Sequence, residues 1–302
     1  MSFLGIDTSN YTTSLSLVRE GRVVCNLKKS VYVAEHQRGV RQSDALFCHV
    51  KNLPILMEEL GQIDDLEAIG YSSRPRDVEG SYMPCFLAGE LVARSLSANR
   101  GVPVYPFSHQ AGHIRAALYS AGALHLVGKD FLAFHVSGGT TEAVVAHPRA
   151  GCFDVELVGY GADLHAGQVI DRVGVDLEMP FPAGPYVEQA ALKSDKDDYF
   201  RVKVQGCTFS FSGVQNQYQA RIKAGESRED ICRFVLNTVA HTILKATKNA
   251  RKEHNLPVLI SGGVSVCSLV QDVFTKEKDL WFAQKGLGGD NAVGTAILAS
   301  MR

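Results

Sequence analysis

Two histidines four residues apart, His109 and His113, lie in the segment FSHQAGHIRAAL at 107–118. In a helix this spacing puts both imidazoles on one face, one turn apart, as two ligands of a single metal ion require. Further on, the apolar run at 131–136 breaks into Ser137-Gly138-Gly139-Thr140-Thr141 and resumes at Ala143-Val144-Val145. A strand–Gly-Gly–strand hairpin leaves backbone N–H groups and hydroxyls available to a phosphate. Taken together, the two features read as the floor of a cleft that joins a metal to a nucleotide. Each also has a plainer reading, because a helical histidine is usually surface or core and most Gly-Gly hairpins carry no phosphate. Residue 110 is Gln where a zinc-peptidase HExxH helix has Glu, so that chemistry is disfavoured.

Such residues need elements to hold them. Residues 3–6 read as a buried strand, the polar turn DTSNYTTS follows, and 15–18 alternate as a returning strand, with a third strand over 23–27. The first hairpin therefore carries Asp7, Thr8, Ser9, Thr12 and Thr13. The same plan, apolar strand then hydroxyl-rich turn then strand, recurs at 131–146 and again at 257–265 (PVLISGGVS), which suggests a duplicated unit. Helices are predicted over 44–60, with Pro54 as a kink, and over 86–99, closed by Gly101. Strands over 66–71 and 102–105 follow, the latter delivering Ser108 as N-cap of the His109 helix. The second half predicts helices at 166–177, 186–193 and 231–252, a strand–Gly break at 209–213 (FSFSG), and a last helix after GLGGDN at 286–291. Strands followed by helices, twice over, give a two-lobed α/β protein with a cleft between lobes. The division expected is 1–128 for the lobe with the first hairpin and the histidine pair, and 129–302 for the lobe with the glycine loops.

Composition bounds the partners. The chain has 302 residues and a net charge of −1, so no global basic field points to nucleic acid and a polyanion would have to meet a local patch. Candidate patches are Lys28-Lys29 with Arg38 and Arg41, then Arg74 and Arg76, then Lys245, Lys248, Arg251 and Lys252; a solvated face is the plainer reading of each. Seven scattered cysteines without a CxxC suit reduced, buried thiols in a cytoplasmic protein. Asp7 interrupts the first apolar run and no run approaches a membrane span, so neither signal peptide nor membrane is expected.

The ordered set FLGIDTS, the His109–His113 segment, VSGGTT, DRVGVDLEMPFPAGP, FSFSG, LISGGVS and GDNAVGTA resembles, nearly end to end, the TsaD-like tRNA threonylcarbamoyladenosine transferases, formerly called O-sialoglycoprotein endopeptidases. The resemblance implies the two-lobed actin/hexokinase/Hsp70-like fold. It implies that His109, His113 and Asp290 hold one Fe or Zn ion, with His109 and His113 also counted as catalytic. It gives Ser137, Gly138, Gly139, Thr140 and Thr141 to nucleotide phosphates, and Asp171 to a ribose or substrate hydroxyl and to catalysis. Gly184 would let the nucleotide approach backbone, and Gly262, Gly263 and Cys267 would belong to the adenosine-side loop. The implied reaction transfers a threonylcarbamoyl group from threonylcarbamoyl-AMP to the exocyclic amine of the adenosine 3′ to the anticodon of a tRNA. The implied cofactors are the divalent metal and ATP, ADP or threonylcarbamoyl-AMP, with or without Mg. The implied partners are tRNA, an accessory paralogue and a small ATPase, and a homodimer stays open.

The sequence also departs from the family. The first turn lacks the acids of SCDET, reading Ser9-Asn10-Tyr11-Thr12-Thr13. Ser43 and Phe47 stand where the family has Glu and Arg, while His49 is kept. Thr140 replaces His, Cys267 replaces Asn, and the DNGA ending is DNAV. This is the pattern of a divergent paralogue. Two further readings stay open beside the transferase: an ATP-dependent carbamoyltransferase or kinase-like enzyme acting on a small molecule, and a non-catalytic metal- or nucleotide-binding protein.

Overall fold

A computed structural model describes residues 1–9, 11–31, 40–149 and 151–302. Asn10 and Arg38, named above, lie outside the described residues. The chain forms two compact units, one of Met1–Gly122, Pro148–Asp154 and Gly289–Arg302, the other of Ala123–His147 and Val155–Gly288.

In the first unit, β1 (Ser2–Ser9), β2 (Thr12–Arg19) and β3 (Arg22–Ser30) form an antiparallel meander. Helix α1 (Gln42–Leu60) leads to β4 (Leu66–Arg74), and α2 (Phe86–Arg100) leads to β5 (Val104–Ser108) and then α3 (His109–Ser120). The sheet order is β3-β2-β1-β4-β5, with β4 parallel to β1 and β5 parallel to β4. Strand β1 is central, and its Leu4 and Ile6 are fully buried against Leu15, Leu53 and Ile69. Helix α2 stops where Gly101 adopts φ 69°, its N–H reaching the Ser97 carbonyl. Ser108 caps α3 as expected, its Oγ accepting from the Ala111 N–H at 3.1 Å.

The second unit repeats this topology. After a 3-10 turn at Leu124–Leu126 come β6 (Phe131–Val136), β7 (Thr141–Arg149) and β8 (Cys152–Tyr160). Then follow α4 (Ala166–Asp176), α5 (Gly184–Ala191), β9 (Val204–Gln205), β10 (Thr208–Phe209), α6 (Ser212–Lys223) and α7 (Arg228–His254). The unit closes with β11 (Val258–Ser261), α8 (Ser268–Asp272) and β12 (Leu280–Phe282). Its main sheet has the order β12-β11-β6-β7-β8, with β11 parallel to both β6 and β12. Strand β6 therefore corresponds to β1, and β11 to β4. The third strand–turn–strand echo, at 257–265, is corrected accordingly: β11 is a crossover strand followed by α8, not the first arm of a hairpin. The break expected at 209–213 is corrected too, since β10 ends at Phe209 and Gly213 lies inside α6.

The 27 residues of α7 carry the second core, with Ile231, Val235, Val239, Ile243 and Ala246 buried in register. Ser227 caps its start and Asn255, at φ 50°, ends it. Asp163 secures the entry to α6, accepting from the N–H groups of Leu164, Phe211 and Ser212 and from the Ser210 hydroxyl. Burial opposes its charge, but these donors outweigh it and hold the carboxyl below the usual range.

The remaining helix, α9 (Val293–Ala299), belongs to the first unit and is buried along its whole length. It crosses α3 with glycine against glycine. A Cβ on Gly294 would sit 1.8 Å from the Gly112 carbonyl oxygen, and one on Gly5 of β1 would sit 2.1 Å from the Ala292 carbonyl oxygen. Only residues without a side chain permit this approach.

Two outcomes are expected. Gly294→Ala should cost about 1–3 kcal/mol through overpacking, seen as a lower denaturant midpoint at unchanged m; an unchanged midpoint would show that the helices can separate freely. Asp163→Asn should lower the unfolding midpoint at neutral pH. The folded pKa is depressed, so the carboxylate's contribution is present above the unfolded value of about 3.9 and is lost as pH falls through the folded one. The two proteins should therefore converge in acid, and a gap that persists at low pH would assign the loss to something other than charge.

Candidate metal centre and phosphate-binding loops

Helix α3 presents His109 and His113 one turn apart, as the spacing requires, with their Nε2 atoms 2.9 Å from each other. The tight α3–α9 crossing brings the segment before α9 alongside. Asp290 Oδ1 lies 3.2 Å from His113 Nε2 and 3.5 Å from His109 Nε2. Asn291 fixes that approach, donating to the Gly289 carbonyl and accepting from the Val293 N–H. One donor atom from each of His109, His113 and Asp290 falls within 4.8 Å of the others.

Asp7 completes the arrangement from the end of β1. It is fully buried, its Oδ1 lies 2.9 Å from His109 Nδ1, and its Oδ2 accepts from the Ser9 hydroxyl at 2.7 Å. An N–H on His109 Nδ1 donated to Asp7 leaves the Nε2 lone pair directed at His113 and Asp290, the tautomer a metal ligand needs. Burial opposes charge on Asp7, but the His109 ring overcomes it and lowers the pKa. Asp290 is likewise held well below the ordinary range, burial being outweighed by hydrogen bonds to His109 and His113. Burial would lower the His109 pKa, yet the Asp7 and Asp290 carboxylates raise it to about 10. A cluster that attracts a proton this strongly offers the same three atoms to a cation, and two imidazoles with one carboxylate suit Zn or Fe.

Beside it lies a buried polar network. Asn52 Nδ2 donates to Thr13 Oγ1 at 3.1 Å, so the Thr13 hydroxyl donates to His49 Nδ1 at 2.8 Å. His49 is fully buried, and burial lowers its pKa, leaving the ring neutral at pH 7. Ser43 and Phe47, on the same helix α1, are both exposed.

In the second unit the hairpin between β6 and β7 is closed by Ser137, whose N–H and hydroxyl both reach the Thr140 carbonyl. Gly138 and Gly139 are exposed at its tip, while Thr141 is buried and accepts from the Ala166 N–H. The first turn of α4 abuts this loop: a Cβ on Gly167 would lie 2.6 Å from the Gly138 nitrogen. Asp171, one turn along α4, accepts from the Ala183 N–H at 2.8 Å through Oδ1, and its Oδ2 lies 3.9 Å from where a Gly138 Cβ would be. That bond holds the turn before α5, which Gly184 opens. Gly262, at φ 100°, brings the end of β11 against β6, since a Cβ there would lie 2.3 Å from the Val136 carbonyl oxygen. Gly263 is exposed beside it, and Gly288 packs on Gly262. The glycines thus gather at the C-terminal ends of β6 and β11, where open α/β sheets hold ligands.

Two differences from the sequence reading emerge. Cys267 starts α8, directly after the loop. It is buried in the second core, and burial pushes its thiol up to about 12. Asp7, read only as part of a polar turn, is the carboxylate that orients His109; the available clue was an acid at the end of a buried strand, which demands a partner. Gly167, which packs on Gly138, carries no signal in the sequence, since an isolated glycine has no distinctive spacing.

Residues 23–296 match the TsaD family, described as tRNA N6-adenosine threonylcarbamoyltransferase. The chain is similar to a protein of that name from Thermus thermophilus, 30% identical over 100% of this chain and 93% of the relative. It is 27% identical to the one from Pyrobaculum calidifontis, over 97% of this chain and 86% of the relative. Among solved structures, full-length HypF in a phosphate- and nucleotide-bound form aligns at TM-score 0.61 and 12% identity, covering 98% of this chain and 55% of that one. A ROK family glucokinase from Streptomyces griseus aligns at TM-score 0.53 and 14% identity over 100% of both chains. These likenesses establish an α/β fold of the actin/hexokinase/Hsp70-like type. All seven cysteines are free, and no helix among the described residues is long and apolar enough to cross a membrane.

Asp7→Asn should weaken retention of Zn or Fe by about 10–100-fold, measured by competition with a chelator, with the circular dichroism spectrum unchanged. Equal retention in the variant would reduce Asp7 to a packed carboxylate without influence on the histidine.

Proposed function

Because the chain belongs to the TsaD family of tRNA N6-adenosine threonylcarbamoyltransferases, we propose that it transfers a threonylcarbamoyl group from threonylcarbamoyl-AMP to the exocyclic amine of the adenosine 3′ to the anticodon of a tRNA. The observation that carries this reading is the convergence of His109, His113 and Asp290 on one point, with Asp7 behind His109. These three residues would hold one divalent ion, Fe or Zn. When bound, the ion supplies Lewis-acid polarisation of the donor's carbonyl.

The chain's own residues have the remaining tasks. Asp7 keeps the His109 proton on Nδ1. Gly138 and Gly139, exposed at the tip of the Ser137–Thr141 hairpin, suit the phosphate of the nucleotide. Asp171 has one oxygen committed to Ala183, which leaves the other for a ribose hydroxyl. Gly262 and Gly263 would take the adenosine side, and Gly184 would allow backbone to approach the nucleotide. Cys267, which the resemblance gives to the same side, is buried beside Glu188. In the reaction the carbonyl–oxygen bond of the mixed anhydride breaks, a carbonyl–nitrogen bond forms, the amine loses a proton and AMP leaves. Adenine's amine is a weak nucleophile, so holding donor and acceptor in line must provide much of the acceleration.

The second reading, transfer to a small molecule, draws on Ser43 and Phe47, which stand where the family has a Glu and an Arg. The two separate in one assay. Unmodified tRNA, threonylcarbamoyl-AMP and metal-loaded protein are incubated, with the accessory paralogue and small ATPase of the same cell added in parallel, and the modified nucleoside is quantified. Product is expected, with a loss of about 100-fold or more in His109→Ala, His113→Ala and Asp290→Ala. No product under any condition in which the Thermus thermophilus relative succeeds would reject the tRNA reading. Metal that stays bound in all three variants would reject the assigned ligands.

A further inference from the structure

Away from the glycine loops, the second unit has a cleft of about 260 Å³ between helix α7 and the extended segment before β9. The segment is pinned to the helix. Asn237 donates to the Lys196 and Asp198 carbonyls, and the Phe200 N–H donates to Thr238 Oγ1. This anchoring lays the Tyr199 ring flat on His241, with centroids 4.0 Å apart and planes at 14°. Burial, then the charge of Lys248, holds the His241 pKa below its usual value, so at pH 7 the pair is a neutral aromatic platform.

Cations rim the platform. Lys245 and Lys248 lie four and seven residues beyond His241 on the same face of α7, and Arg201 lines the cleft from the segment opposite. The neighbourhood is otherwise closely ion-paired: Lys196 with Glu226 and Asp230, Arg221 with Asp198, Lys248 with Glu277. Arg201 and Lys245 make no such pair among the described residues. A solvated basic face would need neither a concavity nor a stacked ring pair. A flat ring and unpaired cations in one cleft match a base and its phosphates. The volume lies just under the roughly 300–1,000 Å³ of pockets for larger small molecules, which suits a single base with its phosphates outside.

We propose that this cleft captures one unstacked nucleotide of single-stranded RNA, its base on Tyr199 and its flanking phosphates on Arg201 and Lys245. The site is independent of the metal and of the Ser137–Thr141 loop; only the assignment of that strand to a tRNA rests on the transferase reading.

The test uses the full chain without metal or donor and a fluorescein-labelled RNA hexamer of mixed sequence, followed by anisotropy across a salt series. Tyr199→Leu should weaken binding about tenfold and Tyr199→Phe hardly at all, since the ring is what stacks. Arg201→Ala with Lys245→Ala should weaken it by about tenfold or more and flatten the log–log salt slope by about 1.4, at about 0.7 per phosphate. These side chains are exposed, so thermal unfolding should not change. Excess AMP should leave the hexamer bound. Displacement by AMP would overturn RNA in favour of a free nucleotide, and variants that bind like wild type with the same salt slope would overturn the site. Absence of threonylcarbamoyl transfer would leave every one of these readings intact.

Discussion

The backbone contact between Gly112 and Gly294 is the constraint on which the first unit's chemistry depends. Gly112 sits between the two histidines on α3, and Gly294 lies one turn beyond Asp290 at the head of α9. Because neither residue has a side chain, the helices approach until carbonyl oxygen nearly meets Cα. That closeness carries Asp290 to within hydrogen-bonding range of His113. Gly5 makes the same concession on β1, which in turn delivers Asp7 to His109. Three elements distant in sequence are thereby brought together by close packing, and a cluster of donors needs such firm placement.

The two sheets share one wiring plan: a meander with two parallel strands added at the side of its first strand. Within that shared plan, the ends of β1 and β6 have taken different work. The first carries a buried carboxylate serving a histidine, the second leads to exposed glycines beside a helix N-terminus. Duplicating a scaffold and varying its loops is how one architecture comes to hold two kinds of ligand.

Much of this was legible in the residues. The strands read at 3–6 and 15–18, which lie inside the longer β1 and β2, the caps at Ser108 and Gly101, and the buried stripe of α7 follow local rules that a sequence states directly. The histidine pair was visible because a helix converts spacing into direction. Other features were not visible, since their causes are not local. Whether 257–265 folds back as a hairpin depends on which strand pairs with β11, and parallel pairing with β6 leaves no mark in nine residues. Gly213 looked like a break because glycine commonly is one, yet Asp163, almost fifty residues earlier in the chain, secures the helix start around it. Asp290 could be connected with the histidines only through the family resemblance, and the burial of Cys267 depends on a core assembled from distant segments.

The pairing of His113 with Asp290 spans 177 positions, whereas Asp7 and His109 lie 102 apart and come from the opening segments. During synthesis the carboxylate–imidazole contact can therefore form while most of the second unit is still unmade. The third donor, Asp290, follows the whole of the second unit in the chain and must return to the first. Until it docks, the two imidazoles lack their third neighbour, so the three-donor cluster is complete only once α9 has closed onto β1 and α3. An ion held there would in turn act as a clasp, adding its binding free energy to the resistance of that returning helix against release.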